Sequence, residues 1–427
     1  MSNNSFFGKY GALMIIGSLF FIFGFVTWAN SVLIPYFKLI CELTIQQALL
    51  VAFAFYISYF LMAFPSSYIL TKTGYKNGMI LGLFIMALGA LIFIPAANSR
   101  QYLIFLIGLF VQATGLTLLQ TAANPYIIVL GPIESAAARM SIMGVCNKTA
   151  GAIAPLLLIG AIVRNPDEID QVQKQLLTAT VQQKNLILND LSSRLLIPYV
   201  VIVTVLVLLG MMIKFTSLPE IKDQALAKEE GVEHDHAPLF KHTYMILGAV
   251  AIFCGVNVEV LVVDTIIQYA QFSGHTFRDA KYFATYTLLI MIASYVTGIF
   301  LIPKVITQRK ALVACAMWGI TLTCVGVFIA PTASLWCMAL LGFGNALLWP
   351  AIWPLALAGL GRHTSKGSAL LIMGVVGAAV GPLFYGLLSH ATNQQLGYLV
   401  LLPCYLFILY FALSGYKAGK KKLNIPV

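Results

Sequence analysis

The chain has 427 residues, of which 60% are hydrophobic and only 10% are charged. An average globular domain is about 45–50% apolar and about 25% charged. The composition therefore excludes a soluble enzyme, a disordered chain and a nucleic-acid-binding protein, and it indicates a multi-pass protein embedded in the lipid bilayer. The formal charge of +11 then reflects, first of all, basic loops on the cytoplasmic side of a membrane.

Apolar runs of about 20 residues or more, the length that crosses a bilayer, occur twelve times along the chain. We predict spans 1 to 6 at 11–37, 46–71, 77–97, 101–131, 138–163 and 193–215. We predict spans 7 to 12 at 243–272, 279–303, 310–331, 333–360, 366–390 and 394–417. The runs are continuous and lack the alternation of barrel strands. The sequence therefore predicts an all-α membrane protein with twelve transmembrane helices.

A polar stretch at 216–241 separates two groups of six spans and carries six of the 15 acidic residues. It predicts an N-terminal six-helix bundle at 1–215, a cytoplasmic linker at 216–241 and a C-terminal six-helix bundle at 242–427. With the N-terminus inside, 17 of the 26 basic residues fall in cytoplasmic segments and 8 in outer segments. This excess predicts a plasma (inner) membrane protein with both termini in the cytoplasm.

Two short repeats relate the halves. The tetrapeptide IMGV occurs at Ile142–Val145 and again at Ile372–Val375, and LLQTAANP (Leu118–Pro125) matches LLWPAIWP (Leu347–Pro354) at nearly the same offset. Both pairs fall on corresponding spans, which indicates a duplicated architecture. In such a fold the substrate site lies between the halves, near the middle of the membrane.

Three charged residues lie inside the predicted spans: Lys148 in span 5, and Glu259 and Asp264 in span 7. Each charge costs at least about 2.5–3.5 kcal/mol on insertion scales, so these residues are candidates for function. Helical spacing places Asp264 on a polar stripe of span 7, whereas Glu259 is the more central charge and needs a partner. A fixed structural ion pair that neutralises Lys148 is the alternative to a functional role.

Amides and tryptophans mark the predicted binding region. Gln120 and Asn124 share a face of span 4, and Pro125 frees the carbonyl of Thr121 to serve a ligand. Span 10 has tryptophans at the repeat-related positions, and such a set suits a neutral polyhydroxylated ligand. Helix packing is an equal alternative for the second tryptophan. The predicted binding residues are Asn30, Gln120, Asn124, Asn147, Gln268, Asn345, Trp349 and Trp353.

Soluble-enzyme motifs are absent from the sequence: it has no GxGxxG after a strand, no GK[ST] phosphate loop, no HExxH and no GxSxG. We therefore expect neither enzymatic activity nor a cofactor or metal site. Because a phosphate loop is lacking, any energy that the protein uses would come from an ion gradient.

Three segments resemble one known family. These are FFIFGFVTWANSVLIPYFK (Phe20–Lys38), LQTAANPYIIVLGP (Leu119–Pro132) and GNALLWPAIWPLALAGLG (Gly344–Gly361). They are similar to spans 1, 4 and 10 of the major facilitator superfamily, and within it of the fucose/glucose-galactose permease family of sugar:cation symporters. The resemblance covers most of the chain and implies a monomeric transporter that works by rocking its two halves around a central site.

Two positions differ from the fucose:proton symporters of that family, and the difference narrows the range of expected substrates. Fucose:proton symporters carry an aspartate in span 1 and a glutamate in span 4 for proton coupling, whereas the chain has Ser31 and Gln120 at these positions. Members that resemble glucose/galactose permeases have a glutamine in span 4 and a glutamate early in span 7, which Gln120 and Glu259 match. The resemblance thus implies an importer of a glucose-, galactose- or mannose-like hexose.

The expected energy source is a proton or sodium gradient, since a carboxylate can couple by protonation or by holding sodium. Glu259 is the first candidate for cation coupling and Asp264 the second, with Lys148 as an ion-pair partner that releases Glu259 when the cation binds. The alternatives are an uncoupled sugar facilitator, a fucose-type symporter or, from a different class, a drug or lipid exporter.

Overall fold

The computed structural model describes residues 4–43, 45–164, 168–216, 218 and 241–420. Within these ranges the chain is helical, and 12 helical segments are long and apolar enough to cross a membrane. The prediction of an all-α protein with twelve spans is therefore confirmed. Most of the predicted linker, 219–240, lies outside the described residues, so the division into two bundles at this linker stays a prediction.

The first nine spans are continuous helices. Spans 1 to 6 are Asn4–Ile40, Ile45–Thr73, Tyr75–Ser99, Tyr102–Val129, Ala136–Ile162 and Leu196–Phe215. Spans 7 to 9 are Thr243–Phe272, Phe277–Leu301 and Gln308–Phe328. Two shorter helices, Glu168–Thr178 and Val181–Ser193, connect spans 5 and 6.

The last three spans are interrupted, although the apolar pattern predicts continuous helices. Span 10 consists of Pro331–Ala346 and Leu348–Leu357, span 11 of Thr364–Met373 and Gly377–Ala391, and span 12 of Gln394–Gly397 and Leu401–Leu413. Short 3₁₀ turns join the pieces of spans 11 and 12. Proline explains two of the breaks, because Pro350 and Pro403 lack the N–H group that would bond one turn back.

Hydrogen bonds between chain-distant helix ends show which ends share a membrane face. The backbone N–H of Tyr244 at the start of span 7 donates to the carbonyl of Ala418 after span 12 (2.9 Å). Lys76 at the start of span 3 donates to the carbonyl of Thr216 at the end of span 6 (2.8 Å). We call this side, which also carries the start of span 1, the terminal face. That the terminal face is cytoplasmic stays a prediction.

Arg139, one of the 17 basic residues assigned to the cytoplasmic segments, has a structural role. Arg139 in the first turn of span 5 is only 6% exposed. Its guanidinium donates to the carbonyls of Ile127 (3.0 Å) and Ile128 (2.7 Å), which are the unpaired acceptors at the end of span 4. Arg139 thereby fixes the end of the helix that carries Gln120 and Asn124.

Facing glycines let spans 3 and 4 pack closely. A Cβ atom on Gly115 would lie 2.5 Å from the carbonyl oxygen of Gly82, and one on Gly82 would lie 2.8 Å from the carbonyl oxygen of Gly115. Since no hydrophobic effect drives helices together inside lipid, their association depends on such close van der Waals contact between small residues. The two glycines therefore set the position of span 4 against its neighbour.

Replacing Gly115 by valine should destabilise the protein, by about 1–3 kcal/mol, because the new side chain meets backbone that cannot move aside. The matched control is Gly386→Val in span 11, where a Cβ atom would meet no other atom within 4 Å. Size-exclusion chromatography of heated, detergent-purified protein measures the loss of folded molecules. Equal melting temperatures for the two variants would contradict the proposed role of Gly115.

Candidate functional site

A cavity of about 120 Å³ lies between the two halves of the chain. Residues of spans 1, 2, 4 and 5 line it from one half, and residues of spans 7, 8, 10 and 11 line it from the other. Among the 18 described residues that line it, seven are aromatic: Phe20, Phe23, Trp28, Tyr56, Tyr59, Tyr295 and Trp349. The cavity thus combines planar apolar walls with a small number of polar groups, as small-molecule sites do.

An ion pair joins the halves at this cavity. The Lys148 ammonium of span 5 contacts the Glu259 carboxylate of span 7, and their side chains are 4% and 14% exposed. The Lys148 Nζ atom also lies 4.4 Å from the ring centroid of Trp28, at the distance of a cation–π contact. Removing either partner would leave the other charge almost fully buried without its counter-ion.

Span 5 carries glycines one turn before and one turn after Lys148. A Cβ atom on Gly151 would lie 2.5 Å from Cδ1 of Trp28, and a Cβ atom on Gly144 would collide with the ring of Tyr295. The Trp28 ring comes from span 1 of the same half, and the Tyr295 ring comes from span 8 of the other half. The two glycines therefore let one ring from each half rest on span 5 beside the ammonium group.

Spans 2, 4 and 10 are linked by a chain of hydrogen bonds. The Gln120 side-chain amide donates to the Tyr59 hydroxyl (3.2 Å), and the Asn124 side-chain amide donates to the backbone carbonyl of Gln120 (2.8 Å). The indole N–H of Trp349 in the other half donates to Oδ1 of Asn124 (3.4 Å). These contacts fix the side chains of Gln120 and Trp349, which both line the cavity.

The structure brings together five of the predicted site residues at the cavity. Gln120, Asn147, Lys148, Glu259 and Trp349 all line the cavity. Fully buried Asn124 lies behind them and contacts Trp349. The side chain of Asn30 lies outside the described residues, so its predicted role is neither supported nor opposed.

The remaining predicted residues do not line the cavity. Asn345 accepts a hydrogen bond from the Tyr405 hydroxyl (2.6 Å) and donates to the Val258 carbonyl (3.1 Å), so its amide serves helix packing. Trp353 is fully buried, with its ring centroid 5.3 Å from that of Trp349. Asp264 and Gln268 are exposed, beyond Glu259 toward the face opposite the terminal face.

Six of the aromatic residues that line the described part of the cavity are missing from the predicted set: Phe20, Phe23, Trp28, Tyr56, Tyr59 and Tyr295. Tyr56 and Tyr59 are three residues apart on span 2, but aromatic residues make up 12% of the chain and such spacing is common. Tyr295 reaches the cavity because Gly144 leaves room for its ring. Gly144 and Tyr295 lie far apart in the chain, so the sequence of span 5 or of span 8 alone does not predict this contact.

Hydrogen bonds join the two halves between the cavity and the terminal face. The Ser368 hydroxyl of span 11 donates to the carbonyl of Thr121 in span 4 (2.9 Å), and the hydroxyls of Ser67 and Ser365 lie 3.0 Å apart. The carbonyl that Pro125 frees was expected to serve a ligand, and it instead accepts a hydrogen bond from the opposite half. The described contacts therefore shut the cavity toward the terminal face.

Comparison with known proteins reveals similarity along almost the whole chain. Residues 16–382 match the sequence profile of the Major Facilitator Superfamily. A glucose/galactose transporter of Brucella abortus is 31% identical over 415 residues, which cover 96% of the chain and 95% of that protein. The L-fucose-proton symporter of Escherichia coli is 30% identical over 408 residues, which cover 93% of the chain and 91% of that protein.

Solved structures agree with these sequence matches. The crystal structure of the Escherichia coli fucose:proton symporter has a TM-score of 0.81 and 27% identity, and the match covers 95% of the chain and 98% of that structure. A structure of the transporter FucP in the outward conformation has a TM-score of 0.82 and 28% identity, with the same coverage. The resemblance drawn from spans 1, 4 and 10 is thereby confirmed.

Replacing Lys148 by methionine should lower the free energy of unfolding by about 3–5 kcal/mol, because the Glu259 carboxylate then stays buried without a cation. Glu259→Gln should destabilise in the same way. The double variant Lys148→Met/Glu259→Gln should recover most of the loss, since no unpaired charge remains. Thermal unfolding of the four proteins in detergent gives the coupling between the two sites, and simple additivity of the two single losses would argue against a buried ion pair.

Proposed function

Since the chain belongs to the Major Facilitator Superfamily, we propose that it is a secondary active importer that moves a hexose together with a proton through the plasma membrane by alternating access. At the coarser level it is a membrane sugar transporter of this superfamily, because it is similar over nearly its whole length to glucose/galactose transporters and to fucose-proton symporters. The observation that carries the finer proposal is the Lys148–Glu259 ion pair inside a cavity with aromatic walls.

The size of the cavity supports a single sugar ring. A volume of about 120 Å³ accommodates roughly ten water-sized positions at about 10–15 Å³ each. That space is far larger than a single water molecule or ion needs and is on the scale of a small molecule such as one sugar ring. Trp28 and Trp349 offer flat surfaces for the C–H faces of the ring, while the amides of Gln120 and Asn147 suit its hydroxyl groups.

Glu259 is the proposed proton acceptor. Its carboxylate holds Lys148 and thereby links span 7 to span 5 of the other half. Protonation of Glu259 would remove the charge that attracts the ammonium, so it would weaken a contact that ties the halves together. Proton binding and the rocking of the halves are then coupled through one ion pair.

Of the two coupling ions that the sequence leaves open, we propose the proton. The fucose relatives are named proton symporters, and the Lys148 ammonium occupies the position beside Glu259 that a sodium ion would need. Asp264, which is exposed on span 7 beyond Glu259, is the proposed second candidate for proton coupling.

Right-side-out vesicles with an acidic exterior should accumulate labelled glucose or galactose above equilibrium if transport is proton-coupled. Glu259→Gln should abolish this accumulation yet retain sugar exchange at equal concentrations, because glutamine can still bind hydroxyl groups but cannot carry the proton. The matched control is Glu134→Gln, which alters an exposed carboxylate between spans 4 and 5. Wild-type uptake that never exceeds equilibrium would indicate the uncoupled facilitator instead, and undiminished accumulation by Glu259→Gln would remove Glu259 from the coupling role.

Trp349→Ala should weaken sugar binding by about tenfold, because it removes both the stacking surface and the indole that positions Asn124. Trp336→Ala is the control, since Trp336 is 46% exposed and does not line the cavity. Calorimetric titration of the purified variants with galactose and glucose measures the change. An unaltered affinity in Trp349→Ala would exclude this tryptophan from the site, and failure of every sugar to bind the wild-type protein would favour the drug or lipid exporter.

A further inference from the structure

We propose that the Lys148–Glu259 pair makes the cavity selective for neutral hexoses and excludes sugars that carry a charge, namely hexuronic acids and aminohexoses. The inference rests on the proposed function, because it defines the substrate class of that same cavity. It is carried by the position, burial and charge balance of the pair.

The charge balance of the lining is zero. Among the described residues that line the cavity, Lys148 and Glu259 are the two that carry a formal charge, and they neutralise each other in direct contact. Their side chains are 4% and 14% exposed, and aromatic rings occupy much of the remaining wall. A third charge that entered the cavity would therefore find little water and no free counter-ion.

A charged sugar could acquire a counter-ion only by breaking the pair. The carboxylate of a hexuronic acid would have to take Lys148 from Glu259, and the ammonium of an aminohexose would have to take Glu259 from Lys148. In both cases one protein charge stays behind, buried and unpaired, which is the costly outcome for a buried ion pair. A neutral hexose avoids this penalty because its hydroxyls can donate to Glu259 and accept from Lys148 while the pair stays intact.

Lys148 is also held in place by contacts that a sugar would have to disrupt. Its Nζ atom lies 4.4 Å from the Trp28 ring centroid, and the flanking glycines Gly144 and Gly151 seat the Tyr295 and Trp28 rings against its helix. The ammonium is thus pre-positioned on Glu259 rather than free to follow a ligand. The preference for neutral over charged sugars follows from the free energy needed to move the Lys148 ammonium away from Glu259.

The two kinds of charged sugar should not be excluded equally. Asp264 is exposed on span 7, beyond Glu259 on the side away from the terminal face. Its negative charge opposes the entry of an anionic sugar and favours the entry of a cationic one. We therefore expect hexuronic acids to bind more weakly than aminohexoses.

Single substitutions in the pair should redirect the selectivity in opposite senses. Lys148→Met leaves the Glu259 carboxylate without a cation, so an aminohexose can supply the missing charge. Glu259→Gln leaves the Lys148 ammonium without an anion, so a hexuronic acid can supply it. The charge-swapped variant Lys148→Glu/Glu259→Lys keeps the balance at zero and should keep the preference for neutral sugars.

The test is calorimetric titration of the full-length purified protein, without any ion gradient, with galactose, galacturonic acid and galactosamine and with glucose, glucuronic acid and glucosamine. Methyl galacturonate controls for the bulk of the carboxyl group, and 2-deoxyglucose controls for the hydroxyl that the amine replaces. Glu134→Gln and Lys310→Gln, which remove exposed charges outside the cavity, serve as control variants and should leave every affinity ratio unchanged.

We expect wild-type protein to bind each neutral hexose at least about tenfold more tightly than its charged analogue. Lys148→Met should raise the aminohexose-to-hexose affinity ratio about tenfold, and Glu259→Gln should raise the hexuronate-to-hexose ratio by a similar factor. Wild-type protein that binds charged and neutral analogues equally would overturn the proposal, and this measurement requires no variant to fold. Unchanged ratios in both single variants, or loss of neutral preference in the charge swap, would overturn it as well.

The outcome also separates this proposal from the proposed function. If wild-type protein binds none of the six sugars, the hexose assignment itself fails. If it binds galactose or glucose but does not discriminate by charge, the hexose assignment stands and only the selectivity mechanism is wrong.

Discussion

The neutralisation of charge inside the bilayer is the constraint on which the central region of the structure depends. Lys148 and Glu259 would each be costly alone at this depth, so each requires the other. The need for contact brings span 5 of one half against span 7 of the other. It also explains why span 5 has glycines beside the lysine, because larger residues at Gly144 and Gly151 would displace the Tyr295 and Trp28 rings that rest there.

The polar contacts between the two halves suit the opening and closing that the proposed alternating access requires. The halves meet on the terminal side through hydroxyl groups of Ser67, Ser365 and Ser368, and the Thr121 carbonyl is available because Pro125 removed its helical donor. A net hydrogen bond contributes only about 0.5–1.5 kcal/mol, and water can replace each partner when the interface separates. A few such bonds hold one arrangement of the halves without making it permanent.

The sequence predicts those parts of the structure that depend on local composition. Twelve spans follow from the length of the apolar runs, and Lys148 and Glu259 stand out because charges in such runs are rare. The sequence does not predict where amides and rings point, because that depends on helix rotation and on neighbours far along the chain. Asn345 illustrates the limit: its position suits a ligand, but Tyr405 and Val258 take up its amide. Tyr295 is the opposite case: its own position gives no sign of a site, and its ring reaches the cavity because Gly144 in the other half leaves room for it.

The presence of Lys148 beside Glu259, the proposed coupling carboxylate, has a consequence for the proposed transport cycle. The carboxylate is in direct contact with the Lys148 ammonium. A proton that binds Glu259 would therefore compete with this ammonium for the same carboxylate. Loss of the Glu259 charge would leave the Lys148 ammonium buried beside the Trp28 ring without its carboxylate, which is costly for a buried charge. In the proposed cycle this cost would favour separation of spans 5 and 7, so the same contact that stabilises one arrangement of the halves would make proton binding able to change it.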